Sequence, residues 1–248
     1  MLSLSPDARL LVVAALEEQP ASRRDFAHAL SESGFGFEAV DPDELRALVG
    51  LSHMVESDRG STLFARDGAP TGLYCVHAGE YELSFSGERG RRQIVRLADG
   101  GKLITEGFSP EKMGCRVDCV ARVPSRAWLL PTRDLLAASE SCAPLAVALM
   151  RLLAHRQARL LDLVHDLSLR GVEQRLAAFL LAAAQHEGRG ASPIEISRDL
   201  PVQTIAEMLG TTRAEVTRAQ ANLQKAGLIE VLRDRVRVLD FQALADAS

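Results

Sequence analysis

The sequence predicts an α+β fold: N-terminal helices and an antiparallel β-roll, then one long helix, then a C-terminal helix–turn–helix with a two-stranded ribbon. Three observations carry that expectation. Between about residues 51 and 130, short alternating apolar runs are broken by Gly-containing turns roughly every ten residues, the pattern of a compact antiparallel barrel or roll. From Cys142 to about Leu169 the apolar period changes to that of a helix. Beyond residue 200, two short apolar-faced segments meet at Gly210, and a pair of β-rich runs follows.

Bulk composition bounds the class. The 248 residues allow one large or two medium domains, and 47% apolar residues suffice for real cores. Lys plus Arg is 29 against 33 Asp plus Glu, a net charge of -4. Such a balance does not favour a nucleic-acid partner, so any reading of that kind must rest on local features. The four cysteines, Cys75, Cys115, Cys119 and Cys142, are too sparse for a disulfide scaffold, and a reducing compartment is expected. The start, MLSLSPDARLLVVAALEEQ, lacks a basic region followed by a clean apolar core, so no signal peptide is expected. No apolar run approaches the roughly 18 residues of a membrane span, and the expected location is the cytoplasm. There is no Gly-rich phosphate loop, no G-x-S-x-G and no His-rich metal motif, so neither an enzyme nor a metal site is expected.

The elements follow in order. Residues 6–50 read as helices. Ser5-Pro6 can start one, with Leu10, Val13, Ala14 and Leu16 at helical spacing. Asp41-Pro42 starts another, with Leu45, Leu48 and Val49 as its apolar face, and Ser31 to Gly36 forms the loop between. The roll is read from STLFARDG, GLYCVHAG, EYELSFSGERG, RQIVRLADGG, CVARV and RAWLL, closed by Pro131 and Thr132. The expected division is an N-terminal extension over 1–40, the roll over 41–141, the long helix over 142–170 and the C-terminal domain over 171–248.

On the long helix, Met150, Leu153, Gln157, Leu160, Val164 and Leu167 recur at alternating spacings of three and four, the seam of a parallel homodimer. Gln157 is its one polar member and can set the register. A second row, Leu149, Leu152, Leu161 and Leu163, is expected to pack onto the roll. An ordinary buried helix competes with this reading but suits the length less well. Gly171 interrupts the helix, an amphipathic helix from Val172 to His186 follows, and residues 187–193 read as a loop.

Residues 200–239 carry the functional signal. Ile205, Ala206 and Leu209 form a short helix face, Gly210 permits a tight turn, and Thr211 or Thr212 can cap the next helix. Val216, Ala219 and Leu223 form that helix's buried stripe, and Arg213, Ala214, Thr217 and Arg218 lie opposite. Gly227 ends it, and LIEVL and RVRVL flank Arg233-Asp234 as a wing. An αα hairpin inside a core would explain the apolar positions. It would not explain two arginines and two threonines on one short exposed face. The expected DNA-facing set is Gln203, Thr211, Thr212, Arg213, Ala214, Thr217 and Arg218, with arginine suited to bidentate pairing with guanine.

The run IAEMLGTTRAEVTRAQANLQKAGLIE, and more weakly GSTLFARDGAPTGLYCVHAGEYEL, resembles the Crp–Fnr family of bacterial transcription regulators over residues 40–240. The resemblance implies a cupin-like, cyclic-nucleotide-binding-like roll as sensor, a dimerisation helix and a winged helix-turn-helix. It implies a homodimer on double-stranded DNA at an inverted-repeat promoter site, with RNA polymerase as a further partner. Arg213 and Arg218 match the base-reading arginines of the cyclic-AMP regulator, while Ala214 replaces its acidic base contact. A ligand-binding module acting through protein contacts, without DNA readout, is the alternative.

In the sensor, Glu106 and Arg116 match the ribose-binding Glu and phosphate-binding Arg of family members that take cyclic nucleotides. The surrounding ITEGFSPEKMGCRVDC departs from the usual G-E-L…R-[ST]-A, with Val117 and Asp118 after the arginine. Leu160 and Leu161 stand where the cyclic-AMP regulator has a polar pair. These departures disfavour cyclic AMP and leave another small ligand, or none, open. Some relatives hold haem through Cys or His. Cys75 and His77 alternate on one predicted strand and are expected to face the same way, although burial of both for packing is the favoured reading. Cys115-x3-Cys119 lacks a strong metal spacing, and the N-terminal cysteine group of the iron–sulfur relatives is absent.

Overall fold

The computed structural model describes residues 21–87, 90–109, 114–187, 194–197, 200–233 and 235–248. The expected helix beginning at Ser5-Pro6, most of the 187–193 loop and Asp234 of the wing turn lie outside them. The chain divides into two compact units. One comprises Met1–Phe85 with Arg96–Arg159, the other Ser86–Val95 with Leu160–Ser248.

The first unit opens with α1 (Ala21–Ser31), a 3-10 turn over Phe37–Ala39 and α2 (Pro42–Gly50). Asp41 caps α2 by accepting from the backbone N–H groups of Asp43 and Glu44, with Pro42 in the first turn. The roll is eight strands: β1 (His53–Ser57), β2 (Thr62–Phe64), β3 (Gly72–Ala78), β4 (Glu80–Ser86), β5 (Arg92–Asp99), β6 (Leu103–Ile104), β7 (Asp118–Ala121) and β8 (Ser125–Pro131). They form two four-stranded sheets, ordered β1-β8-β3-β6 and β2-β7-β4-β5. Strands β1 and β6 were not read from the sequence. In β1, HMVES alternates too weakly, and β6 has only two residues. The chain does not simply end the roll at Thr132. That residue begins α3 (Thr132–Ser141), which buries only Leu135 and Ala138 and so left little periodic signal.

Leu73 and Cys75 of β3, Leu103, Trp128 and Leu130 share one apolar core with the helical layer. The 1–40 stretch, set apart as an extension in the sequence reading, contributes Phe26, Leu30, Phe37 and Val40 to it. Tyr74, Tyr81, Leu83 and Ile94 are also fully buried, and the Tyr81 hydroxyl hydrogen-bonds Ser57 at 3.1 Å.

Helix α4 (Ala143–Leu169) is 27 residues long. Leu145, Ala148, Leu149 and Leu152 are buried in the same core. The expected second row stops there. Leu161 is 61% exposed and Leu163 half-buried, so neither packs on the roll as Leu149 and Leu152 do.

The second unit has its own core. It comprises α5 (Val172–Glu187), β9 (Ile194–Ser197), α6 (Val202–Met208), α7 (Arg213–Lys225), β10 (Ile229–Val231), β11 (Arg235–Val238) and α8 (Phe241–Asp246). The expected two-stranded wing is a three-stranded sheet in the order β10-β11-β9, with Val236 paired to Val231 and to Ile196. β9 was missed because a strand of only four residues, IEIS, carries little pattern by itself.

Candidate DNA interface and sensor site

The turn between α6 and α7 is built from two opposed end signals. Gly210 adopts φ +63° just past the end of α6, and the Thr211 N–H donates to the Ala206 carbonyl at 2.9 Å, the Schellman closure of a helix end. A Cβ at Gly210 would come within 2.6 Å of Leu167 Cδ2, so backbone and packing both require glycine. Two residues on, Thr212 caps α7. Its hydroxyl accepts from the Glu215 N–H at 3.3 Å, and the Glu215 carboxylate accepts from the Thr212 N–H at 3.1 Å, a full capping box. The Thr211 hydroxyl donates to the same carboxylate. These hydrogen bonds, with the nearby charge of Arg218, hold the Glu215 carboxyl below the usual range. The far end of α7 closes the same way as α6. Gly227 has φ +73°, its N–H reaches the Gln224 carbonyl at 2.9 Å and the Leu228 N–H reaches the Leu223 carbonyl at 3.0 Å.

With its ends fixed, α7 presents two faces. Val216, Ala219 and Leu223 are buried, and Arg213, Ala214, Thr217 and Arg218 are exposed, as the sequence predicts. Among the described residues neither arginine forms an ion pair. The Thr217 hydroxyl donates to the Arg213 carbonyl at 3.0 Å, leaving its methyl and lone pairs outward. Gln203 is exposed on α6 and donates to Glu207 at 2.8 Å. Thr211 and Thr212 are engaged in the cap. The one acid within this run, Glu215, is therefore a structural element of the helix start, a role readable in the T-R-A-E run but not assigned from it. In the wing, Arg235 and Arg237 are countered by Glu195 and Glu230, at 2.6 to 2.8 Å.

On α4 the six seam residues lie on one side. Met150 is 62% exposed, Leu160 48% and Val164 59%, large apolar side chains that the chain's own fold leaves uncovered. Leu153 and Gln157 are exposed and Leu167 is half-buried.

The sensor residues do not assemble as the family pattern implies. Glu106 accepts from Arg96 in a bidentate pair, Nε to Oε1 and Nη2 to Oε2, both 2.9 Å. The Thr105 N–H adds a third hydrogen bond at 2.9 Å. Burial alone would raise the Glu106 carboxyl, but the charge and hydrogen bonds of Arg96, aided by the Arg156 charge, outweigh it and hold the group below the usual range. Arg116 is exposed and is not among these partners; Val117 is in the core; Asp118 accepts from the Arg66 N–H at 2.9 Å. A cyclic nucleotide needs a free acceptor for its ribose and an inward arginine for its phosphate. These residues supply neither, and Leu160 and Leu161 offer no hydrogen bond to a base.

Cys75 lies in the apolar core, where burial pushes its thiol up to about 12. The expected alternation with His77 fails, because a bulge between Val76 and Ala78 breaks the register of β3 on β8. All four cysteines are free thiols and buried, and no metal-binding group of three His, Cys, Asp or Glu residues occurs among the described residues.

Comparison with known proteins agrees with this architecture. Residues 54–142 match the cyclic nucleotide-binding domain family, and residues 174–247 match the Crp-like helix-turn-helix domain family. The chain is 30% identical over 224 residues to the nitrogen fixation regulation protein FixK of Bradyrhizobium diazoefficiens, covering 84% of this chain and 89% of that one. It is 26% identical over 211 residues to the CRP-like cAMP-activated global transcriptional regulator of Mycobacterium tuberculosis, covering 84% and 94%. The structure of FixK2 from Bradyrhizobium japonicum superposes with a TM-score of 0.68 at 19% identity, covering 79% of this chain and 97% of that one. The chain belongs to the Crp–Fnr family. It is a transcription regulator with a helix-turn-helix DNA-binding domain, and action as a homodimer is typical of that family.

Proposed function

We propose that the protein works in the cytoplasm as a homodimer on an inverted-repeat promoter site, reading each half-site with α7, and that cyclic AMP does not switch it. The exposed Arg213–Arg218 face carries the first part. It is rigidly capped at both ends and lacks an acid free to contact bases, so guanine-directed arginine pairs dominate its readout. Ala214 removes one contact of the cyclic-AMP regulator, so the preferred half-site differs from that regulator's. The exposed seam from Met150 to Val164 supports the dimer. In line with a cytoplasmic site, no described helix is long and apolar enough to cross a membrane. RNA polymerase is the partner through which promoter binding acts, a reading that rests on the family alone. The division 1–40, 41–141, 142–170 and 171–248 stands as the working one, with the proviso that Phe26 to Val40 pack in the core of the roll.

The deciding measurement is a gel shift with random and selected DNA at two salt concentrations. Affinity falling steeply with salt on both, with a selected palindrome bound far more tightly, supports the reading. Absence of binding to any duplex would leave a sensor acting through protein contacts.

A further inference from the structure

The roll contains a charge imbalance that the cyclic-nucleotide pattern does not account for. Arg96 is satisfied by Glu106 and also donates to the Leu103 carbonyl at 2.9 Å. Arg156 of α4 donates through Nη2 to that same carbonyl at 2.9 Å. Its Nε is buried and has no hydrogen-bond partner. Two guanidinium groups therefore converge on one carbonyl with one carboxylate between them. Burial, then the like charge of Arg96, disfavour the charged form of Arg156; Glu106 favours it only in part, and Arg159 opposes it again. An uncompensated, partly buried cation is costly, and the planar guanidinium fork is suited to gripping two oxygens at once.

We propose that this roll binds a small oxyanion, a carboxylate or a phosphate, on Arg156 beside the Arg96–Glu106 pair. The anion accepts from the orphaned Nε and balances the second guanidinium, while Glu106 remains the built-in counterion of Arg96. This is not the family's cyclic-nucleotide arrangement, in which the glutamate is free and the phosphate sits on the arginine matching Arg116. Arg156 lies next to Gln157 of the seam and one turn beyond buried Leu152, so an anion there ties β5 and the Leu103–Glu106 segment to the helix that carries the dimer. Occupancy would thus report to the dimer helix directly. The inference rests on the proposed role of the roll as a sensor.

The test uses the full-length protein, thermal unfolding and titration calorimetry in low-salt buffer, with inorganic phosphate, succinate and cyclic AMP as separate probes. Phosphate or succinate should bind and raise the melting temperature, and whichever does so identifies the source of the oxyanion. Arg156→Gln should weaken that binding roughly tenfold or more, the loss of a charge-assisted hydrogen bond. Arg116→Gln should leave it within about twofold by the same reckoning. Arg156→Lys keeps the charge without the fork and should fold normally yet bind weakly. Arg156→Met should raise the melting temperature of the anion-free protein and abolish the anion-induced rise. Failure of both anions to bind, binding untouched in Arg156→Gln, or cyclic-AMP binding that depends on Arg116 would overturn the proposal. Gel shifts on the same preparations keep the two readings apart. Normal DNA binding without anion binding removes the site and leaves the regulator, whereas loss of duplex binding in the wild type removes the regulator itself.

Discussion

Arg218 stands one helical turn beyond Ala214 on the exposed face of α7, where a side chain of its reach and fork geometry can pair with a guanine edge. A bidentate arginine–guanine pair contributes about 1–3 kcal/mol of discrimination, so Arg218→Ala should weaken the specific site about 5- to 150-fold. It should relax preference at one base pair of each half-site and change random-DNA affinity much less. Lys225, exposed near the far end of the same helix, is the control; Lys225→Ala should weaken all duplexes by a similar small factor. Equal losses on specific and random DNA for both variants would make Arg218 a backbone contact. Arg213 and Arg218 were legible in the sequence because exposed charge opposite an apolar stripe is a local signal. Arg96 and Arg156 were not. Arg96 sits in a strand of ordinary alternation, and its partner Glu106 is brought to it by the turn after β5. Sequence spacing pointed to Arg116 instead, ten residues from Glu106, but the structure leaves that residue in solvent.

At the scale of an element, the recognition helix depends on how its start is built. The Gly210 closure and the Thr212 capping box meet within a few residues, so the angle between α6 and α7 is set by hydrogen bonds rather than by the apolar contacts alone. Thr212→Ala removes an N-cap and should cost about 1 kcal/mol of stability in the second unit. Gly210→Ala adds both the left-handed backbone penalty of about 1–2 kcal/mol and the clash with Leu167, so it should cost more. Chemical denaturation followed by far-UV circular dichroism can rank them. The opposite order would mean that the turn tolerates a Cβ and that the cap carries the geometry. Gly210 and the threonines were legible as turn and cap. The choice of Thr212 over Thr211 needed the backbone, because only Thr212 stands in the extended conformation from which its hydroxyl reaches the third residue of the helix. On α4, a search for apolar residues skipped from Leu152 to Leu161. The row that meets the roll continues instead through Arg156, whose charge hid it from a hydrophobic pattern.

At the scale of the whole molecule, function depends on a surface that the single chain leaves exposed. Met150, Leu153, Leu160 and Val164 are apolar, lie at heptad spacing and are each at least two-fifths exposed. Exposed large apolar side chains in a continuous stripe mark an interface. At roughly 1.5–3 kcal/mol per large side chain fully buried, a parallel pairing of two such stripes would contribute several kcal/mol. A dimer made this way would place two copies of α7 about 34 Å apart, matching half-sites one helical turn apart. DNA binding should then depend on the seam even though no seam residue touches DNA. Leu160→Glu sets two like charges against each other across a symmetric pairing, because in a two-fold interface each substitution meets its own copy or a close neighbour. It should yield a monomer by light scattering at concentrations where the wild type is a dimer, and it should lose the palindromic site while keeping weak, salt-sensitive binding to random duplex. Leu161→Glu, one position around the helix and off the seam, is the matched control. It carries the same charge at a site 61% exposed and should remain dimeric. If Leu160→Glu stayed dimeric and bound the palindrome normally, the seam would not be the dimer interface. If Leu161→Glu dissociated the dimer as completely as Leu160→Glu, the pairing would lie around Leu161, and the register read from 150-153-157-160-164-167 would be shifted by one face of the helix.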